Sequence, residues 1–183
     1  MNIDELAQKA EANFHKHLGE NSYPGRGIVI GCDPGGNPVL IYWIMGRSSN
    51  SRNRLFYLNP EGGLKTEAAD NSLLEDPSLI IYNAVLPSKQ GFLVTNGDHT
   101  DRIMAKMGNG KTFLEAMHDE KHEPDPPNFT PRIAGLMTLE ASEIKIELAL
   151  ACKSSFSSEI STFVFLSDSI AEIIPKSFFF ENL

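Results

Sequence analysis

The chain has 183 residues, of which 41% are hydrophobic and 22% charged, a composition typical of a globular domain and unlike that of a disordered or fibrous protein. No apolar run approaches the roughly 20 residues that cross a bilayer, so the sequence predicts no membrane-spanning segment. The net charge is -8 and the basic residues form no run, which argues against a nucleic-acid partner because phosphate neutralisation supplies most of the affinity of such proteins.

The N-terminal half is predicted to form a helix followed by strands. Residues 2–18 carry apolar side chains at helical spacing, and residues 23–27 contain the Pro-Gly sequence that ends the pattern. Strands are expected over 27–32 and 39–45, joined by a turn beginning at Asp33. A short strand is expected over 55–58, then a polar stretch, and a second hairpin over 79–85 and 91–95.

Two helices and three strands are predicted in the rest of the chain. The helices cover 100–107 and 112–121, and Pro124 ends the second. The strands cover 132–137, 143–151 and 161–166, before an apolar stretch at 173–180. Strands outnumber helices and short turns connect most neighbours, so we expect one α+β domain, 1–183, with mainly antiparallel sheets.

Two local motifs are considered and set aside. The segment 108–112, Gly-Asn-Gly-Lys-Thr, is similar to the end of a phosphate-binding loop, but position 105 is Ala105 where that motif needs glycine. His118 and His122 share a helical face at zinc-ligand spacing, but Pro124 ends the helix before a third ligand. We therefore predict neither an ATPase nor a metal site. With only two cysteines, Cys32 and Cys152, we expect a reducing compartment and thus a cytoplasmic protein.

Four polar segments carry the functional signal. They are Arg47-Ser48-Ser49-Asn50-Ser51-Arg52, Tyr82-Asn83, Asn96-Gly97-Asp98-His99-Thr100-Asp101, and Glu123 to Arg132 with its Thr-Pro-Arg-Ile sequence. In this order and at these spacings, the set resembles the archaeal-type IMP cyclohydrolases and their bacterial relatives. The sequence Tyr23-Pro24-Gly25-Arg26 is similar to the opening of that family's first strand. The resemblance covers about residues 23–137, between an N-terminal helix at 1–20 and a divergent part at 138–183.

The resemblance implies a fold and a reaction. The fold is a four-layer αββα arrangement like that of the N-terminal nucleophile hydrolases, here with an added N-terminal helix and a shortened C-terminal part. The reaction closes a formamido-imidazole carboxamide ribonucleotide to IMP with loss of water, the last step of purine biosynthesis. No metal and no other cofactor is implied, and we expect a homo-oligomer.

The resemblance also implies site residues. The catalytic arginine, tyrosine and glutamate fall on Arg52, Tyr82 and Glu123, with Arg54 and Glu120 as the alternatives for the charged pair. The substrate-binding set is Arg26, Arg47, Ser48, Asn83, Asn96, Gly97, His99, Asp101, Asn128 and Arg132. An alternative function is a non-catalytic purine-nucleotide-binding or interaction protein that keeps the pocket without the activity.

Overall fold

The structure is a computed structural model, which describes residues 2–33, 35–89, 91–140, 143–153 and 160–167. The helices are α1 Ile3–Phe14, α2 Ser49–Arg52, α3 Pro77–Ile80, α4 His99–Gly108 and α5 Phe113–His118. The strands are β1 Arg26–Cys32, β2 Pro38–Ile44, β3 Leu55–Leu58, β4 Leu64–Glu67, β5 Tyr82–Ser88, β6 Gly91–Thr95, β7 Arg132–Glu140, β8 Glu143–Lys153 and β9 Ile160–Ser167.

The predicted N-terminal helix forms, but its last turn changes type. Asn2 and Glu5 make a reciprocal capping box that satisfies the first free backbone N–H groups. The α-helix ends at Phe14, and a π-helical turn covers His15–Gly19. There the Glu20 N–H donates to the carbonyl oxygen of His15 at 2.8 Å, five residues back. The helical pattern of the sequence does not distinguish this wider turn from an α-helical one.

The first predicted hairpin is confirmed. Strands β1 and β2 pair antiparallel from Arg26 opposite Ile44 to Cys32 opposite Pro38. Asp33 closes the turn by accepting hydrogen bonds from the backbone and side-chain nitrogens of Asn37, at 2.8 and 2.7 Å. Gly27 has no alternative, because a Cβ there would lie 1.9 Å from the Trp43 ring.

The other seven strands form one antiparallel sheet in sequential order, β3-β4-β5-β6-β7-β8-β9. Both the α+β class and the antiparallel pairing are therefore as predicted. Between β4 and β5 the register shifts, so that Leu64 pairs with Val85 and Lys65 with Asn83. Ala84 is the extra residue of this bulge, which changes the side-chain alternation along β5.

Two clusters of apolar side chains cover the opposite faces of the large sheet. On one face, Leu93 packs with Ile103 of α4 and Phe113 of α5. On the other face, Val94 packs with Tyr42 of the β1–β2 hairpin. Since successive strand residues point to opposite faces, Leu93 and Val94 place the helices and the hairpin on either side of the sheet. The described residues thus form a helix layer, the large sheet and the two-stranded sheet.

Two segments differ from the sequence prediction. Residues 79–80, predicted as the start of a strand, instead end helix α3, because Asp76 caps its first turn and Pro77 occupies a first-turn position where no N–H is needed. Strand β4 lies in the stretch predicted as a polar loop. Its side chains alternate, with Thr66 buried, but the strand is too short for that alternation to be a clear signal.

Among the described residues, no helix is both long and apolar enough to span a membrane. The predicted strand over 161–166 lies within β9, which pairs with β8. The apolar stretch predicted at 173–180 lies outside the described residues.

Candidate active site

A cavity of about 490 Å³ opens where the first strand of the hairpin, helix α2 and the segment before β7 meet. Charged and amide side chains form part of its lining. Several predicted site residues contribute to it: Arg26, Arg47, Ser48, Asn96, Glu123 and Asn128. Arg54, the alternative to Arg52, lines it as well. Residues from distant parts of the chain are thereby brought to one place.

A buried ion pair joins two of these residues. Arg26 Nη1 donates to Glu123 Oε1 and also to the carbonyl oxygen of Asn96, the latter at 2.9 Å. Burial lowers the pKa of Arg26, but the adjacent Glu123 carboxylate outweighs that effect and the net pKa is raised. The pair therefore places one fixed positive and one fixed negative group at the cavity wall.

Arg54 presents unused donors beside Tyr82. Its Nη2 donates to the carbonyl oxygen of Leu79 at 2.8 Å, and its Cζ lies 5.9 Å from the centre of the Tyr82 ring. Among the described residues, the buried Nε and Nη1 have no hydrogen-bond partner. Burial lowers the pKa of Arg54, and the positive charge of Arg26 adds to this effect. A half-buried guanidinium with unpaired, buried N–H groups is a ready binding site for an anion or a carbonyl oxygen.

Arg52, unlike Arg54, does not line the larger cavity. Its side chain is exposed, and its Nε donates to the carbonyl oxygen of Gly46 at 2.9 Å. It lines a neighbouring cavity of about 360 Å³, whose wall includes Leu55 and Phe56 and which Arg54 also borders. Of the two arginines considered from the sequence, Arg54 is thus the one at the larger cavity.

Tyr82 is buried and forms a hydroxyl pair. Its Oη lies 2.7 Å from the Oη of Tyr42, on the hairpin that packs against this face of the sheet. Only 4% of Tyr82 and 9% of Tyr42 is exposed. Burial raises the pKa of Tyr82, whereas the hydrogen bond with Tyr42 and the charges of Arg26 and Arg54 act in the opposite direction. The phenol is therefore held protonated next to two cationic groups.

The Asn96 side chain, which follows β6, is hydrogen-bonded to the backbone at the start of β7. Its Oδ1 accepts from the Ile133 N–H and its Nδ2 donates to the Pro131 carbonyl oxygen, both at 2.9 Å. Since both ends of the amide bond to backbone, the side chain fixes the loop that precedes β7. Asn96 lines the cavity mainly as a support for that loop.

A second polar network lies beside the cavity and includes the predicted site residues His99 and Arg132. Arg132 Nη1 donates to Asp98 Oδ1 at 2.5 Å and to His99 Nδ1 at 2.9 Å. Asn83 donates instead to Asp101 on α4, at 2.8 Å. Glu120, the alternative to Glu123, accepts from Arg102 and Lys106. The described cavity lining does not include Tyr82, Asn83, Gly97, His99, Asp101, Glu120 or Arg132, although Tyr82 adjoins Arg54, which lines it.

Gly97 lies between the cavity and this second network. A Cβ at this position would be 3.3 Å from Glu123 Oε1 and 3.0 Å from Arg132 Nη1. A residue without a side chain therefore lets both charged groups approach the same turn of backbone.

Arg47 and Ser48 lie at the cavity rim. The Arg47 guanidinium is exposed and stacks over the Tyr23 ring at 5.4 Å. Ser48 caps α2, where its Oγ accepts from the Ser51 N–H and its own N–H donates to Ser51 Oγ. Asn128 is also exposed at this edge.

Comparison with known proteins identifies the family of the chain. A family model described as "IMP cyclohydrolase-like protein" matches residues 23–161. The chain belongs to this family. It is 27% identical to the IMP cyclohydrolase of Haloarcula marismortui over 128 residues, which are 66% of this chain and 57% of that protein. It is 30% identical to the IMP cyclohydrolase of Methanococcus maripaludis over 124 residues, 66% of this chain and 60% of that protein. The chain thus spans less than two thirds of the length of either relative.

For this IMP cyclohydrolase-like chain, sequence reasoning missed Tyr42. It alternates with Leu40 and Ile44 along β2, so its position is that of an ordinary core residue. Its partner Tyr82 lies 40 residues away on another sheet, and no local pattern connects the two. The pairing of Arg26 with Glu123 is likewise visible only in three dimensions.

Proposed function

We propose that this chain is an IMP cyclohydrolase, which closes 5-formamidoimidazole-4-carboxamide ribonucleotide to IMP with loss of water. The observation that carries the proposal is the buried cluster of Arg54 and Tyr82 beside the Arg26–Glu123 ion pair. Ring closure needs a donor to the formyl oxygen and an acceptor for a nitrogen-bound proton. The cluster supplies both.

In the first step, the carboxamide nitrogen attacks the formyl carbon and a C–N bond forms. Negative charge gathers on the formyl oxygen, where the free N–H groups of Arg54 and the hydroxyl of Tyr82 stabilise it. That oxygen then leaves as water, with one proton from the carboxamide nitrogen and one from the formamide nitrogen. Glu123, an ionised carboxylate held by Arg26, is the acceptor through which these protons move.

The substrate phosphate is assigned to the rim of the cavity. Arg47 is exposed there and adjoins Ser48, and a guanidinium is well suited to bidentate phosphate binding. Because both arms of the reaction belong to one substrate, holding the ribonucleotide in this cavity also supplies part of the rate enhancement.

The remaining expectations belong to the same proposal. The helix, large sheet and hairpin would be three layers of an αββα fold. A fourth layer would lie against the outer face of the hairpin, where Val29 and Ile41 are exposed. One domain over 1–183, a cytoplasmic location and a homo-oligomeric state stay predictions of the family resemblance.

The test compares two arginines of the same segment. The purified chain is incubated with the formamido ribonucleotide, and IMP formation is followed by absorbance. We expect Arg54→Lys to lower kcat by about a hundredfold, the scale of removing one oxyanion donor, and the matched Arg52→Lys to change it little. The reverse order would transfer the role to Arg52. A wild-type chain that binds IMP but forms none would be a non-catalytic binder and would refute the proposed reaction.

A further inference from the structure

The contact between Tyr42 and Tyr82 joins the two sheets, and no other side-chain hydroxyl of the described residues takes part in it. Their oxygens are 2.7 Å apart, and both rings are buried in the cluster that joins the hairpin to the large sheet. The Phe56 ring packs edge-on against Tyr42 with centroids 5.8 Å apart. Both hydroxyls are thus held at fixed positions by the packing of their rings.

In such a pair one hydroxyl donates and the other accepts, and the surrounding charges decide which. The Arg54 guanidinium lies over the Tyr82 ring, so partial negative charge is favoured on the Tyr82 oxygen. The pKa values point the same way. Burial raises both, but the mutual hydrogen bond lowers the pKa of Tyr82 and raises that of Tyr42. The position of Arg54 thus favours Tyr42 as the donor and Tyr82 as the acceptor.

We propose that Tyr42 is a positioning residue, which donates its hydroxyl hydrogen to Tyr82 so that the Tyr82 hydrogen is directed to the substrate. This inference rests on the proposed function, because it assigns Tyr82 the formyl oxygen as its acceptor. Without Tyr42, the Tyr82 hydroxyl could rotate freely and its oxygen would lose the donor that stabilises developing negative charge.

Every proton of the ring closure has a donor and an acceptor. Tyr82 gives its proton to the formyl oxygen as the C–N bond forms. The carboxamide nitrogen loses a proton to Glu123, from which a proton returns to the phenol. The formamide nitrogen supplies the second proton of the departing water. Tyr42 keeps its own proton throughout and serves only to hold and stabilise the Tyr82 oxygen.

The test is a double-mutant comparison on the full chain with the formamido ribonucleotide. We expect Tyr42→Phe to lower kcat by about tenfold with little change in KM, and Tyr82→Phe to lower it by about a hundredfold. In the Tyr82→Phe background, Tyr42→Phe should have no further effect, because the hydroxyl that it positions is gone. The matched control is Tyr57→Phe, which removes an exposed phenol on β3 and should leave kcat unchanged.

A Tyr42→Phe loss that is equally large in both backgrounds would show a merely structural role and overturn the inference alone. Unchanged kcat in Tyr42→Phe would do the same. A wild-type chain without turnover overturns the proposed function and this inference with it. A second measurement uses the unsubstituted chain, so that it tests the inference even if the Tyr42→Phe variant does not fold. In low-temperature NMR, the Tyr42 hydroxyl proton should be protected from exchange and correlate with Tyr82, and its absence while other buried hydroxyls are protected would contradict the inference.

Discussion

His99 is predicted to make the protein sensitive to mild acid. The side chain is 0% exposed, and its ring is bonded on both sides. Arg132 can only donate, so Nδ1 of His99 must accept from it, at 2.9 Å. Nε2 therefore carries the hydrogen and donates to the Ile133 carbonyl oxygen at 3.2 Å. Protonation would place a second N–H against a guanidinium, so the folded state favours the neutral ring.

The magnitude follows from the pKa. Burial, together with the charge of Arg132, lowers the pKa of His99 from 6.5 to about 3. The unfolded chain takes up this proton as the pH falls through about 6.5, whereas the folded chain does not until about 3. The contribution of His99 to the free energy of unfolding is thus fully present above about pH 6.5 and decreases progressively as the pH falls from there toward about 3. Between pH 7 and pH 5 the free energy of unfolding should fall by about 2 kcal/mol from this residue.

Urea unfolding at several pH values measures this effect. Nearby carboxylates add to the pH dependence of the free energy of unfolding, but at lower pH than His99. Burial would raise the pKa of both Asp98 and Glu120, but Arg102 holds each below its usual value. The His99→Asn variant keeps an acceptor for Arg132 but cannot titrate, so its stability should change little between pH 7 and pH 5. His118→Asn, at an exposed histidine, is the matched control and should retain the wild-type dependence. Equal pH dependence in wild type and His99→Asn would refute the reasoning.

Two further predictions concern the charged groups around the cavity. Glu123→Gln should lower the free energy of unfolding by about 3 kcal/mol because it leaves Arg26 buried without its anion. The double variant Glu123→Gln/Arg26→Met should recover most of that lost stability in urea unfolding. If the free-energy losses of the two single variants simply add in the double variant, the two side chains are not coupled. Gly97→Ala should cost about 1–3 kcal/mol, since its Cβ would crowd Arg132 and Glu123, and an unchanged melting temperature would contradict the close approach.

The elements that could be predicted from sequence are those with a local signal. The hairpin was predictable because a Gly-rich turn separates two apolar runs of equal length, and α4 and α5 because apolar residues recur at helical spacing. Helix α3 was missed since Asp76 and Pro77 act as a cap and first turn in an otherwise strand-like run. Strand β4 has no comparable signal of its own, and its place is set by pairing with β3 and β5.

The site could be predicted only as a set of segments. Resemblance to a family identifies which segments matter, but it does not say which side chain of a segment faces the cavity. Arg52 and Arg54 are two residues apart, and only the end of α2 and the path into β3 place Arg54 beside Tyr82 and Arg52 at the neighbouring cavity. The contact of Tyr82 with Tyr42 depends on the packing of two sheets, which no local pattern records.

The polar segment 96–101 shows why a functional signature need not consist of groups that touch a substrate. Asn96 bonds the backbone before β7, and His99 is buried in a network that orients Arg132. At Gly97 a Cβ would lie 3.0 Å from Arg132 Nη1 and 3.3 Å from Glu123 Oε1, so a side chain there would crowd both charged groups. Each of these residues fixes the backbone or a charge beside the cavity. The Asn96 carbonyl oxygen also accepts from Arg26, so the segment contacts the Arg26–Glu123 pair through its backbone while its side chains fix the loop before β7 and Arg132.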